Sequence, residues 1–153
     1  MVKYILYSFF IVTGLSSCTN NAIYDQNSTI KDKSWTYDQK PAFTVHVADN
    51  KPTYNIYINL RHTNTYDYSN LYVLLHEKGN KLKDTAYRNE IQLAALDGRW
   101  LGKSAASLYE VQYLAKENFS FPDTGKYTFT IEQNMRENPL KDIVDIGLKV
   151  VKQ

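Results

Sequence analysis

Six stretches of this chain alternate apolar and polar side chains with a period of two, the spacing that puts one face of an extended strand in a core and the other in water. In AFTVHV, Phe43, Val45 and Val47 share a face. In TYNIYINL, Tyr54, Ile56, Ile58 and Leu60 alternate with Asn55, Tyr57 and Asn59. NLYVLLHE sets Leu71, Val73 and Leu75 on one side, and KYTFTIEQ does the same with Tyr127, Phe129 and Ile131. DIVDIGLKVV lines up Val144, Ile146, Leu148 and Val150, and the short SWTY pairs Trp35 with Tyr37. β-branched and aromatic residues fill these runs, as pleated half-buried surfaces require. Thr85 to Ala94 and Ser107 to Ala115 are weaker strand candidates, and Met135 to Ile143 has room for one short helical turn limited by Pro139. Turn residues separate the runs at Asp49-Asn50-Lys51-Pro52, Lys78-Gly79-Asn80, Asp97-Gly98 and Pro122-Asp123-Thr124-Gly125. About eight strands with short connections and no long amphipathic helix predict an all-β fold, a two-layer antiparallel β-sandwich over residues 33–153.

The first residues follow a different logic. Lys3 precedes a short apolar run, Tyr4 to Leu15, and then Ser16-Ser17-Cys18. A positive start, a brief apolar stretch and small residues predict a cleaved signal peptide over residues 1–17. The run is too short for a transmembrane helix, which takes roughly 20 residues. Leu15-Ser16-Ser17-Cys18 also resembles the bacterial lipobox, in which cleavage precedes a cysteine that takes a diacylglycerol and the new amino group is acylated. Cys18 is the single cysteine, so it has no partner in the chain for a disulfide. Its place just behind the apolar run assigns it to lipidation rather than to a reactive or buried thiol. One acyl chain anchors only marginally, each buried CH₂ adding about 0.8 kcal/mol, whereas two or three hold a protein on a bilayer. Residues 18–32, rich in Asn, Thr, Asp and Ser, then read as the lipidated N-terminus and a tether, with Ile23, Tyr24 and Ile30 as residues able to shorten it by packing on the domain.

Removing Lys3 takes the formal net charge from +2 to +1. A nucleic-acid binder shows a basic face instead. His46, His62 and His76 lie in separate segments without metal-ligand spacing, and each is expected on a polar face; neither a metal nor a cofactor is expected. The chain has no GxSxG and no glycine-rich phosphate loop, and its acids Asp67, Asp84, Asp97 and Glu110 are scattered, so no catalytic residues are assigned. Two features point to binding, and a third loop reads as packing. Tyr66 and Tyr68 flank Asp67 in the exit from a strand, within a chain holding 13 tyrosines. Asp97-Gly98-Arg99-Trp100-Leu101-Gly102-Lys103 presents Arg99 and Trp100 between glycines, either as an interaction loop or with Trp100 plugging the sandwich end. Asn118-Phe119-Ser120-Phe121 leads into a turn, with both phenylalanines expected to pack. Tyr57, Tyr72 and Trp100 could alternatively form an aromatic platform for sugars, which would make this a carbohydrate-binding lipoprotein.

Four blocks carry a family resemblance: Tyr54 to Tyr72, Asp97 to Lys103, Phe121 to Arg136 and Leu140 to Leu148. In this order, behind the lipobox Cys18, they resemble the GldH lipoproteins associated with gliding motility in Bacteroidetes bacteria. Two departures stand out. Ser104-Ala105-Ala106 follows the DGRWLG block where a further glycine is expected, and Asp142 stands where a glycine precedes the last strand. The resemblance implies a non-enzymatic cell-envelope lipoprotein on the outer membrane, facing the periplasm. It implies partners in the lipid bilayer, through acylated Cys18, and among other gliding or type IX secretion envelope proteins. The residues after Cys18, TNNAIYDQ, lack an acidic cluster associated with surface export, in keeping with the periplasmic side.

Overall fold

The computed structural model describes residues 21–153. The expected signal peptide, and Cys18 with it, therefore lie outside the described residues. In chain order the strands are Ala22–Thr29 (β1), Ser34–Trp35 (β2), Ala42–Val47 (β3), Tyr54–Thr63 (β4), Asn70–Gly79 (β5), Leu82–Gln92 (β6), Lys103–Ala105 (β7), Leu108–Phe119 (β8), Gly125–Gln133 (β9), Leu140–Lys141 (β10) and Ile143–Lys152 (β11). One sheet has the order β1-β11-β4-β8-β7, the other β3-β9-β5-β6, and β2 and β10 form a small ribbon. Every pairing is antiparallel. The chain passes between sheets at most connections and turns back within a sheet at the β5–β6 and β7–β8 hairpins.

The expected alternation is what closes the two layers. Tyr54, Ile56, Ile58 and Leu60 of β4 and Ile146, Leu148 and Val150 of β11 point inward from the first sheet. They meet Val45 of β3, Val73 and Leu75 of β5 and Tyr127, Phe129 and Ile131 of β9 in one continuous core. Phe121 fills one end, with ring centroids 5.2 Å from Tyr54, 4.7 Å from Tyr127 and 5.0 Å from the half-buried Phe119. Fully buried Trp35 fills the other end, its Nε1–H donating to the Gln39 carbonyl at 2.7 Å. Burying an aromatic or aliphatic side chain of this size contributes about 1.5–3 kcal/mol.

Inter-sheet contact is not wholly apolar. Glu77 follows Leu71, Val73 and Leu75 on the inner face of β5 and is 3% exposed. It pairs there with Lys116 of β8, whose ammonium also lies 3.8 Å from the Tyr87 ring centroid of β6. This ion pair ties the two sheets along their β6 and β8 side.

Three local expectations are corrected. The tether is shorter than 18–32, because residues 22–29 form β1, paired along β11. The segment looks like a tether because an edge strand is held by backbone hydrogen bonds, which leave no hydrophobic pattern. Tyr24 nonetheless packs edge-on against Phe43 at 6.5 Å, and Asn27 lies over Gly147, where any Cβ would overlap its side chain. Second, Trp35 and Tyr37 do not share a buried face. β2 ends at Trp35 and Tyr37 is exposed, its hydroxyl donating to the Met135 carbonyl at 2.9 Å. Third, Met135 to Ile143 contains no helical turn. Buried Gln133 claims its polar groups: Oε1 accepts from the Met135 N–H at 2.9 Å and Nε2 donates to the Glu137 carbonyl at 2.9 Å. The only helical piece among the described residues is the 3-10 turn Lys31–Lys33.

The strand directions sort the connections into two ends. Asn21, residues 48–53, 80–81 and 120–124, and the C-terminal residues gather at one end, where the Lys152 N–H donates to the Asn21 carbonyl at 3.0 Å and the Gln153 N–H to that of Thr53 at 2.9 Å. Residues 30–41, 64–69, 93–102 and 134–142 gather at the other.

Candidate functional site

Three of the four candidate binding residues meet at this second end. The exit of β4 (residues 64–69) is cross-tied to the long loop after β6. The Leu93 and Ala94 N–H groups both donate to the Ser69 carbonyl, at 2.8 and 3.0 Å, and the Leu101 N–H donates to the Leu93 carbonyl at 2.7 Å. This brings Trp100 within 6.4 Å of Tyr66, and Tyr66 within 5.7 Å of Tyr68. Arg99 stands apart. Its side chain is 75% exposed and lies 3.7 Å from Asp97 across the turn.

The roles differ from residue to residue. Tyr66 is buried, with its hydroxyl donating to the Asn70 carbonyl at 3.1 Å, and burial pushes its pKa well up. It is a packing residue and presents no partner-binding surface. Trp100 is half-buried and plugs the end, as one of its two expected roles has it. Tyr68 is the exposed member. Its hydroxyl donates to Glu137 Oε2 at 2.7 Å, which raises its pKa.

The residue that organises this cluster is one expected on a polar face. His62 is fully buried. Its ring lies 4.7 Å from Trp100, 5.6 Å from Tyr66 and 5.7 Å from Tyr109, stacked on the last. Nδ1–H donates to the Thr63 carbonyl at 2.8 Å and Nε2 has no hydrogen-bond partner. Burial in this aromatic cage lowers its pKa, so the neutral form is favoured. The pattern that could have found it is parity: 62 continues the inward series 54, 56, 58 and 60 of β4. His46 is exposed and His76 half-buried, the latter 3.1 Å from Glu132 on the outer face of the second sheet.

Just beyond His62, Asp142 Oδ1 accepts from the Thr63 hydroxyl at 2.6 Å and the Thr65 hydroxyl at 3.0 Å. Both departures from the family pattern fall at backbone that suits glycine: Asp142 has φ of 66° and Ala106 φ of 55°. At Asp142 the two hydroxyl contacts compensate for the left-handed conformation; Ala106 has no side-chain polar group with which to do so.

Beside this cluster, on the outer face of the second sheet, lies a depression of about 380 Å³ lined by Tyr68, Tyr72, Arg88, Asn134, Met135 and Arg136. The end of β9 builds it. After Gln133 the Asn134 N–H continues the ladder to the Tyr72 carbonyl at 2.8 Å, and the Tyr72 N–H meets the Met135 sulfur at 3.3 Å. Arg88 reaches in from β6, its guanidinium 4.0 Å over the Tyr72 ring and its Nε donating to Asn134 Oδ1 at 3.1 Å. Sequence reasoning missed Arg88, Met135 and Arg136: Arg88 lies far along the chain from the adjacent pair Met135-Arg136, and none of the three sits in a binding motif.

The scattered acids do not converge. Asp84 and Glu110 line separate depressions on different sheets, and Asp67 and Asp97 sit on loops. The proposed sugar platform is divided as well: Tyr57 and Tyr72 occupy strands of different sheets, and Trp100 packs in the histidine cluster. No group of acids, histidines or cysteines with metal-binding geometry occurs among the described residues.

Comparison with known proteins gives the fold its context. The family model described as GldH lipoprotein matches residues 22–150. A protein of Christiangramia forsetii named gliding motility lipoprotein GldH homolog is 31% identical, the match covering 94% of this chain and 91% of that protein. The gliding motility lipoprotein GldH of Flavobacterium johnsoniae is 29% identical, covering 89% and 88%. No solved structure matches. A family match running from the first strand to the last, with relatives aligned over nearly their full length, places the sandwich and its loop end in one lineage: the chain belongs to the GldH lipoprotein family.

Proposed function

We propose that this protein is a membrane-anchored gliding motility lipoprotein, acylated at Cys18, that acts without catalysis by binding other envelope proteins through the loop end of its sandwich. Family membership and the lipobox support the anchor. The observation that carries the binding role is directional. β1 enters at the end opposite the Tyr68, Trp100 and Met135 loops. Three peptide steps from Cys18 to Asn21 span at most about 11 Å, so the entry end rests close to the bilayer. The ten residues of β11 separate the two ends by about 30 Å. The aromatic loop end is thereby held out, away from the lipid. An outer-membrane position facing the periplasm, and work with the type IX secretion machinery, belong to the same proposal and rest on the family resemblance and on the sequence after Cys18.

Two experiments test it. Cys18→Ser should move the protein from the membrane to the soluble fraction; retention of the variant on membranes removes the lipid anchor. In intact cells, a photo-crosslinking residue in place of Tyr68 should trap a protein, whereas one in place of Lys51 at the entry end should not. Cross-linking to protein only from the Lys51 position would refute the orientation.

A further inference from the structure

We infer that the depression lined by Tyr68, Tyr72, Arg88, Asn134, Met135 and Arg136 receives a carboxylate borne on an apolar or aromatic residue of a partner polypeptide; this rests on the partner-binding function proposed above and names its chemistry. The charge distribution is the starting point. The chain has four arginines. Arg61 pairs with Asp145 and Arg99 with Asp97. The other two, Arg88 and Arg136, both line this depression, and neither has a carboxylate within ion-pair distance among the described residues.

The acids nearby are already engaged. Glu137 accepts the Tyr68 hydroxyl at 2.7 Å, and Glu90 accepts from Asn70 Nδ2 at 2.7 Å and stands against the Tyr72 hydroxyl, whose pKa it raises. The two phenols are thus turned to their own acids, which leaves their rings as walls and the guanidinium groups as the free polar elements. Arg88 is held for this purpose. Stacking on Tyr72 and the Nε bond to Asn134 fix the plane of its guanidinium while committing one of its five donors. A guanidinium with its outer nitrogens free binds a planar carboxylate through two parallel hydrogen bonds.

The rest of the lining selects what carries that carboxylate. Met135 is an adaptable apolar surface, and the Tyr68 and Tyr72 rings give rigid apolar area. Tyr, Arg and Met are the residue types enriched at the centres of protein interfaces. A space of about 380 Å³ lies at the lower end of the range for ligand pockets, roughly 300–1,000 Å³, and suits one or two peptide residues. Its position beside the 64–69 and 134–142 loops keeps it on the end held away from the entry of β1.

The test uses the full-length lipoprotein in detergent micelles, with the arginine side chains labelled for NMR. The probe is acetyl-Gly-Gly-Phe with a free carboxyl group, against the same peptide amidated at its C-terminus and against inorganic phosphate. The free acid should shift the Arg88 and Arg136 Nε signals saturably, amidation should weaken binding at least tenfold, and phosphate should fail to match the free acid. The double variant R88Q/R136Q, with its fold verified from the backbone spectrum, should lose binding, and R88K should recover only part of it. Equal binding of acid and amide, equal binding of phosphate, or retained binding by R88Q/R136Q would each overturn the inference, as would no shift at millimolar peptide. If the peptide fails while the cross-linker at Tyr68 still traps an envelope protein, the carboxylate chemistry falls and the binding role stands.

Discussion

Removing one member of the Glu77–Lys116 pair should unfold the sandwich more readily than removing both. Glu77 is 3% exposed, and its only charge partner among the described residues is an ammonium from the facing sheet. Lys116→Met keeps the length and apolar volume of the side chain but leaves a carboxylate buried without its counter-charge. Breaking a buried pair from one side typically costs about 3–5 kcal/mol. The reciprocal change, Glu77→Leu, should cost less, about 1–3 kcal/mol. The ammonium left behind retains the Tyr87 ring at 3.8 Å and the Phe119 ring at 4.8 Å, contacts of about 0.5–2 kcal/mol, and its flexible stem can carry it to the nearby edge. The double variant, with leucine at 77 and methionine at 116, restores an apolar contact between the sheets and should recover most of the loss, since replacing a buried pair by apolar groups is often neutral or stabilising. Urea unfolding followed by tryptophan fluorescence gives all four stabilities, and their cycle isolates the coupling. If Lys116→Met costs under about 1 kcal/mol, or the double variant is as unstable as the worse single one, the pair is not the desolvated inter-sheet contact described here.

The remaining predictions concern the loop end. Because burial lowers the pKa of His62 below its ordinary value of about 6.5, the unfolded chain takes up its proton first; stability is complete above that value and falls with pH below it, by at most about 1.4 kcal/mol per unit. His62→Phe should reduce the slope of stability between neutral and mildly acidic pH, and an unchanged slope in urea titrations would rule His62 out as its source. Ala106→Gly should raise stability by about 0.5–1 kcal/mol by relieving left-handed backbone at a φ of 55°, whereas Asp142→Gly should give no such gain, because it also removes the hydrogen bonds to Thr63 and Thr65; comparing the two midpoints decides it. Trp100→Ala should lower the unfolding midpoint measurably and disturb the NMR signals of His62 and Tyr109, while Arg99→Ala, on an exposed tip, should leave the midpoint where it is.

Much of the architecture was legible because a strand writes its environment into alternate residues. Inward parity located the core of β3, β4, β5, β9 and β11, and carried through consistently it also locates His62, Glu77 and Gln133, which continue the series of their own strands. These three were obscured by their polarity. β1 was illegible for the opposite reason: an edge strand needs backbone hydrogen bonds more than apolar side chains, and AIYDQNST therefore reads as linker. Of the four residues singled out for binding, Tyr68 lies in the candidate site, Trp100 and Tyr66 support it from beneath, and Arg99 is separate.

From the sequence alone follow an all-β two-layer domain, a stretch ending at Cys18 that resembles a lipobox, and family kinship, because periodicity, short-range spacing and shared blocks are all properties of residues near one another in the chain. Only the tertiary structure decided which residues form a site. Tyr68, Tyr72, Arg88, Met135 and Arg136 come from two loops and two strands, and they converge only because β5 lies between β6 and β9 in one sheet. The same folding sets the loop end opposite the entry of β1, for the direction of every strand is fixed by antiparallel pairing with its neighbours, a constraint that acts between distant segments and leaves no mark in local sequence.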